Sequence, residues 1–184
     1  MCDDAKPPLP GGWTEVDRLL RGAEVVVPGD GTSLWTLTHA EDFAVGLAGL
    51  LGDPRALGEV FHITSDEVLP WDEVYRTLAA AAGVEARLVH VPADLLPVAA
   101  PDWRWTPLIL GDLRFSTVLD NGKVHRYVPA YRPQVTWAEG ARRLLGWRGQ
   151  HPDACGPDRE TDGLLDRLVA GFHGSADVFR SLAP

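Results

Sequence analysis

Three features of the 184-residue sequence predict an α/β fold. AEVVV (23–27) is a β-branched run and reads as a strand. GEVFHIT (58–64) and ARLVHVP (86–92) read as two further strands. Between them LPWDEVYRTLAAAAG (69–83) carries Trp71, Val74, Tyr75, Leu78 and Ala82 on one stripe, the spacing of an amphipathic helix. Strand, helix and strand in that order predict a βαβ unit running from 58–64 through 70–82 to 86–92, with parallel strands and a right-handed crossover.

The remaining elements follow in chain order. Residues 1–12, acidic and rich in Pro and Gly, are expected to be a flexible lead-in. TEVDRLLRG (14–22) has Val16, Leu19 and Leu20 at helical spacing and a stop at Gly22. PGDG (28–31) has turn chemistry, and SLWTLTH (33–39) alternates like a strand. An Asp-Gly turn between two strand-like runs predicts a hairpin. AEDFAVGLAGLLG (40–52) reads as a helix that buries Phe43, Leu47, Leu50 and Leu51 and ends at Gly52-Asp53-Pro54. From Ala93 to Pro133 the chain is expected to be irregular. Thr136 and Glu139 form a capping box ahead of a helix over 136–147. Residues 151–184 are expected to be a linker (151–161) and a last helix centred on 162–172.

Composition excludes several classes of function. A net charge of −9 argues against nucleic acid as a partner, because phosphate binding needs a basic face. No apolar run reaches the length of a membrane span, and the first residues lack the pattern of a signal peptide. Cys2 and Cys155 are too few and too far apart for a zinc site or a disulfide framework, so both are expected to be free thiols in a cytoplasmic protein. The six histidines are scattered, at 39, 62, 90, 125, 151 and 173, and no metal ligand set is expected.

The Gly29-Asp30-Gly31 loop has neither the third glycine of a dinucleotide fingerprint nor the Lys-Ser/Thr of a Walker loop. It is read as a turn. His39 with Asp42 is the nearest approach to an acid–base pair, set against the plainer reading of a core imidazole and a helix-capping carboxylate. Trp35, Thr36 and His39 on the strand-like run, and Trp103, Arg104 and Arg132 in the irregular region, are the candidate substrate-binding residues. Indole faces beside guanidinium groups grip sugar rings and anions, although the same residues also build packed loops.

Taken in order, VVVPGDGTSLWTLTHAEDFAVGLAGLL, GEVFHITSDEVLPWDEVYRTLAAAAGVEARLVHVP, GDLRFSTVLDNGKVHRYVP and the TWAEGARRLLGW helix resemble one family. It is the extended short-chain dehydrogenase/reductases, the NAD-dependent epimerases and dehydratases. The resemblance is to their C-terminal half and runs over about residues 13–150. It implies partial Rossmann-type sheet elements plus the small substrate-binding lobe. LTHAEDFA matches the family's "hVxDvA" stretch, with His39 and Asp42 in place.

Family members bind their cofactor through an N-terminal Rossmann half with a G-x-x-G-x-x-G loop and catalyse with a Tyr-x-x-x-Lys pair. No such glycine loop follows a strand here, since the Gly46, Gly49 and Gly52 spacing falls inside the run read as a helix, and the Tyr-x-x-x-Lys pair is absent: Tyr75, Tyr127 and Tyr131 are followed four residues later by Ala79, Tyr131 and Val135. The resemblance therefore implies a substrate-binding half that holds no cofactor alone, with NAD(P) entering only if a Rossmann half is supplied. A partner polypeptide, or a second copy of the chain, is expected to cover the exposed sheet edge. The implied substrate is a small polar molecule such as a nucleotide-sugar. A split enzyme and a repurposed cofactor-free binding domain or enzyme remain as alternatives.

Overall fold

The computed structural model describes residues 2–181; Met1 and residues 182–184, the end of the expected C-terminal segment, lie outside them. Four strands are present among the described residues: β1 (Glu24–Pro28), β2 (Leu34–Trp35), β3 (Leu69–Pro70) and β4 (Arg87–Val91). The helices are α1 (Trp13–Leu20), α2 (Ala40–Leu50), α3 (Trp71–Ala81), α4 (Leu96–Ala99), α5 (Thr106–Leu108), α6 (Gly122–Tyr127), α7 (Trp137–Gln150) and α8 (Arg159–Ser181).

The centre is a parallel pair, β1 beside β4, in register from Glu24 opposite Arg87 to Pro28 opposite Val91. Val25, Val26 and Val27 are all buried. An unbroken apolar run of this kind belongs to a strand covered on both faces. Tyr75 and Leu78 of α3, Val16 and Leu19 of α1, and Leu165 and Leu168 of α8 join these valines in one core. Trp137 of α7 donates its indole N–H to the Val74 carbonyl at 2.9 Å and so ties α7 to α3. A smaller core under α2 and α6 contains Leu50, Ile63, Val124 and Tyr131.

This pairing corrects the expected βαβ unit. The parallel partner of the 86–92 strand is β1, and residues 58–64 run extended without joining a ladder. The edge of β4 that faces β1 is already filled, so the predicted first strand has no place there. Apart from the Glu59 amide's bond to the Ala56 carbonyl, its backbone partners are side chains: Lys123 reaches the Val60 carbonyl, and Asn121 and Tyr131 both donate to the Thr64 carbonyl.

The predicted hairpin is also absent. The Gly29 amide continues the parallel ladder with a 2.8 Å bond to the Val91 carbonyl. β2 then leaves to pair antiparallel with β3. The strand-like run 33–39 is ladder-forming only at Leu34–Trp35. The turn itself is as expected. Gly29 and Gly31 have φ of 79° and 74°, where glycine alone is unstrained. Asp30 Oδ1 accepts from the Thr32 amide at 3.0 Å and the Thr32 hydroxyl at 2.7 Å. The Gly31 carbonyl accepts from the Asp72 amide at 3.0 Å, so the loop is packed on the start of α3.

Three further segments differ from expectation. The lead-in is packed against the body: the Cys2 amide donates to the Thr38 carbonyl, the Cys2 carbonyl accepts from the Ala40 amide, and Leu9 is buried. Residues 93–133 contain short helices, α4 to α6, with a π-helical turn over Ile109–Leu113. The last helix starts earlier and runs longer than 162–172. Asp158 Oδ1 accepts from the Glu160 and Thr161 amides and starts the helix at Arg159. Gly171 and Gly174 do not stop it. The Thr136 cap forms as predicted, its hydroxyl accepting from the Glu139 amide at 3.3 Å. The Glu139 carboxylate instead engages Arg142 and Arg143, so only half of the capping box closes.

Gly31→Ala tests the turn. A methyl group there would lie 1.9 Å from Asp72 Oδ1 and 2.9 Å from His90 Nε2, on a backbone of positive φ. The expected loss is roughly 2 kcal/mol or more. An unchanged urea midpoint would show that the loop is not packed as described.

Candidate functional site

The sequence-predicted site residues fall into three places. Trp35 packs on Trp71 with ring centroids 5.7 Å apart and donates its indole N–H to the Phe115 carbonyl at 3.1 Å. The Leu34 amide donates to Ser116 Oγ, and Ser33 and Trp71 both donate to the Leu113 carbonyl. Residues 113–117 are thereby strapped onto β2. Thr36 sits at the end of this wall with its hydroxyl oxygen buried and unpartnered among the described residues.

His39 caps α2 and Asp42 lies in its first turn, and both take structural positions. His39 is the N-cap: Nδ1 accepts from the Glu41 amide at 3.3 Å, and Nε2 lies 3.1 Å from Asp4 Oδ1. Asp42 is buried and spends both carboxylate oxygens on backbone, accepting from the Gln134 amide at 2.9 Å and the Val135 amide at 3.0 Å. It pins the chain ahead of α7 to α2. Arg132 turns back on its own segment, donating to the Pro129 and Tyr131 carbonyls.

Trp103 and Arg104 lie elsewhere, in a groove of about 490 Å³. One wall is the loop Ala99–Trp105; the other is the first turns of α8, with Asp158, Glu160, Thr161 and Arg167; Gly11 closes one end. The Arg104 guanidinium stands 5.3 Å from the Trp105 ring centroid. Trp35, Thr36, His39 and Arg132 are not part of its lining. Indoles, two guanidiniums and three carboxylates (Asp102, Asp158, Glu160) suit a polar molecule with a ring face. Among the described residues no three His, Cys, Asp or Glu side chains stand close enough to hold a metal ion.

Beside this groove lies a group the sequence reading missed. Glu15 is fully buried, and neither carboxyl oxygen has a hydrogen-bond partner among the described residues. It touches the position that a Gly11 side chain would fill. Burial pushes its pKa well above the ordinary carboxylate value, against the pull of Arg18. The signal was in TEVDRLL: Glu15 stands four residues before Leu19 and so shares the buried stripe. A second polar cluster, also missed, closes the 58–66 segment. Asn121 donates to Asp66 Oδ1 at 2.7 Å, and His125 stacks against buried Tyr131 at 5.3 Å.

No protein-family model matches the chain. The 2'-dehydrokanamycin reductase of Streptomyces kanamyceticus is 35% identical over 111 residues, 60% of this chain and 31% of that protein. A dTDP-glucose 4,6-dehydratase of an Actinoplanes species is 32% identical over 132 residues, 72% of this chain and 36% of that protein. Among solved structures, a Streptomyces venezuelae dTDP-glucose 4,6-dehydratase with NAD bound superposes with a TM-score of 0.55 at 30% identity, covering 75% of this chain and 38% of that one. An epimerase from Methanothermobacter thermautotrophicus gives a TM-score of 0.60 at 21% identity, covering 76% and 37%.

The chain is thus homologous to part of the extended short-chain dehydrogenase/reductase family of NAD-dependent epimerases and dehydratases. It spans about a third of the length of the curated relatives it matches. Its mixed α/β fold with a small parallel sheet matches part of theirs.

Two predictions follow from the buried carboxyls. Asp42→Ala removes two charge-assisted bonds to backbone and is expected to cost about 2–4 kcal/mol in urea unfolding, against little change for exposed Glu73→Ala. Glu15 has the opposite character. Its folded pKa is raised, so its contribution is complete below the unfolded value of about 4.3 and is lost as the pH climbs toward the folded value. In that window stability falls by up to about 1.4 kcal/mol per pH unit. Glu15→Gln is expected to flatten that part of the curve and to raise the melting temperature at pH 7; an unchanged slope would place the carboxyl in water.

Proposed function

We propose that these residues form the substrate-side lobe of an NAD-dependent epimerase-, dehydratase- or reductase-like protein, and that they carry no redox activity of their own. The observation that carries this reading is the part-length homology: 35% and 32% identity to two such enzymes, over only 31% and 36% of their lengths. The sequence supports it, since its G-x-x-G-x-x-G spacing, Gly46, Gly49 and Gly52, lies in helix α2 and at its end and not in a loop after a strand, and no Tyr-x-x-x-Lys pair occurs in it. On this reading NAD(P) is held by a Rossmann half outside these residues.

The groove at Trp103 and Arg104 is the proposed small-molecule site. Trp103 and Trp105 offer apolar faces for a sugar or cyclitol ring, and Arg104 and Arg167 offer fork-shaped donors for an anionic group. The relatives named above act on an aminoglycoside and on a nucleotide-sugar, and a molecule of that kind is the proposed substrate. Trp35 and Thr36 belong to a second wall, beside residues 113–117, which would face the same substrate only once a further body of protein closes the space. His39 and Asp42 are assigned structural positions, as cap and as clamp. No helix among the described residues is long and apolar enough to cross a membrane.

Isothermal titration of the purified chain with NADH and with NADPH tests the reading. No binding heat is expected up to millimolar cofactor. Micromolar affinity for either nucleotide would overturn it.

A further inference from the structure

The groove at Trp103 and Arg104 ends beside an acid with nothing to hold it. Glu15 is 0% exposed, and neither carboxyl oxygen has a hydrogen-bond partner among the described residues. A buried acid without partners costs free energy, and each such group in a native structure calls for an explanation, a ligand or ion among them. Asp42, the other buried acid among the described residues, shows the contrast: both of its oxygens accept from backbone amides.

Glu15 stands directly behind Gly11, which closes one end of the groove. A methyl group on Gly11 would lie 3.2 Å from Glu15 Cγ, 3.9 Å from Glu15 Oε1 and 3.5 Å from Cγ2 of Thr161, itself a wall residue. Gly11 and Gly12 have φ of 87° and 60°, a backbone easy for glycine and strained for other residues. The sequence thus places two side-chain-free residues between the acid and the open space.

The charges around Glu15 leave it without a cation of its own. Arg18 on α1 pulls the carboxyl toward ionisation, and Asp162 on α8 opposes that pull. Tyr75 on α3 faces it as a neutral phenol, its pKa pushed up by burial first and then by Glu15 and Asp72. The Arg18 guanidinium is already engaged by Glu24, Asp162 and Asp166. A cation for Glu15 has to come from outside the chain. The groove suits one: its carboxylates, Asp102, Asp158 and Glu160, outnumber its guanidiniums, Arg104 and Arg167, and indole faces attract ammonium groups.

We propose that the Gly11 end of the groove takes a ring ammonium of an amino-sugar or aminocyclitol, and that this ammonium pairs with Glu15. The proposal rests on the reading of the groove as a small-molecule site and names the class of molecule it takes. The step is an ionisation. As the ammonium arrives, the Glu15 carboxyl gives its proton to solvent, and its two oxygens accept N–H bonds from the ligand. One proton is released per ligand bound, and no other bond is broken. Gly11 and Gly12 are the part of the wall that yields. A ligand with phosphates and no amine would leave the acid neutral, because negative charge nearby holds the proton on.

Isothermal titration with kanamycin, which carries ring amines and no anionic group, tests the site. It is run at about pH 6, above the ordinary carboxylate value of about 4.3, in two buffers of different ionisation enthalpy. Binding with one proton released is expected, and that release is read in the unaltered chain. Glu15→Gln is expected to abolish the release and to weaken binding at least tenfold. Glu73→Gln, outside the groove, is expected to change neither, which separates the site from general attraction of a polycation to an acidic protein. No binding of kanamycin, binding without proton release, or equal binding by Glu15→Gln overturns the proposal. So does tighter binding of dTDP-glucose, which carries phosphates and no amine. None of these outcomes concerns NADH or NADPH, whose binding alone overturns the lobe reading, so the two failures are told apart.

Discussion

The fold turns on one buried guanidinium. Arg18 donates from Nε to the Glu24 carbonyl at 2.9 Å, from Nη1 to Asp162 Oδ1 at 2.5 Å, and pairs through Nη2 with Asp166 at 2.8 Å. A buried charge is tolerated only when its partners are in place, and here they come from two elements other than its own. Glu24 begins β1, Arg18 is on α1, and Asp162 and Asp166 are on α8. Docking α8 and closing the outer side of β1 are therefore a single event. Burial alone would raise the Asp162 carboxyl, but the bonds from Arg21 and Arg18 hold it below the ordinary range. Glu15, one turn back on α1, makes no hydrogen bond to the network among the described residues, and burial raises its pKa against the pull of Arg18.

The sequence made the helices and two of the strands visible because their signals are local. Stripes at 3.6-residue spacing placed α1 and α3, and Thr136 marked a start of α7 that the structure keeps; α2 forms as expected but on a different buried face, with Leu47 and Leu51 of the expected stripe 41% and 72% exposed and Asp42, Gly46 and Leu50 buried. What sequence could not show was partnership. AEVVV and ARLVHVP were both read as strands, but nothing within either run says that they pair with each other. The unbroken valine run of β1 was the available clue, since a hairpin strand would alternate. GEVFHIT alternates and is extended, yet a ladder needs a neighbour, and the chain offers it only side chains.

The candidate site was legible in residue type more than in arrangement. Trp103 and Arg104 do line a groove, but its other wall is α8, a helix foreseen only in part and some 55 residues further on in sequence. Trp35 was expected among site residues and instead spends its N–H on the Phe115 carbonyl, clamping residues 113–117. Asp42 illustrates why a carboxylate beside a histidine is weak evidence for acid–base chemistry. Two backbone amides from residues 134 and 135 already occupy it, a use that no local pattern records.

Side chains cap outward carbonyls along two extended segments of this molecule. Along β1, the carbonyls of Glu24 and Val26 point away from β4, since the Gly29 amide, on the alternate set, points toward it. Both are met by the chain's own side chains, Glu24 by Arg18 and Val26 by the Tyr75 hydroxyl. Along 60–64 the same chain places side chains on two carbonyls, at Val60 and Thr64, and leaves the row of amides free. Carbonyls are easily capped by lysine, asparagine or tyrosine, whereas a run of N–H groups needs acceptors in line, which side chains seldom provide. Amides that face water are met by it, so the feature that water penalises here is the uncovered apolar side of α2, where Val45 and Leu51 stand exposed.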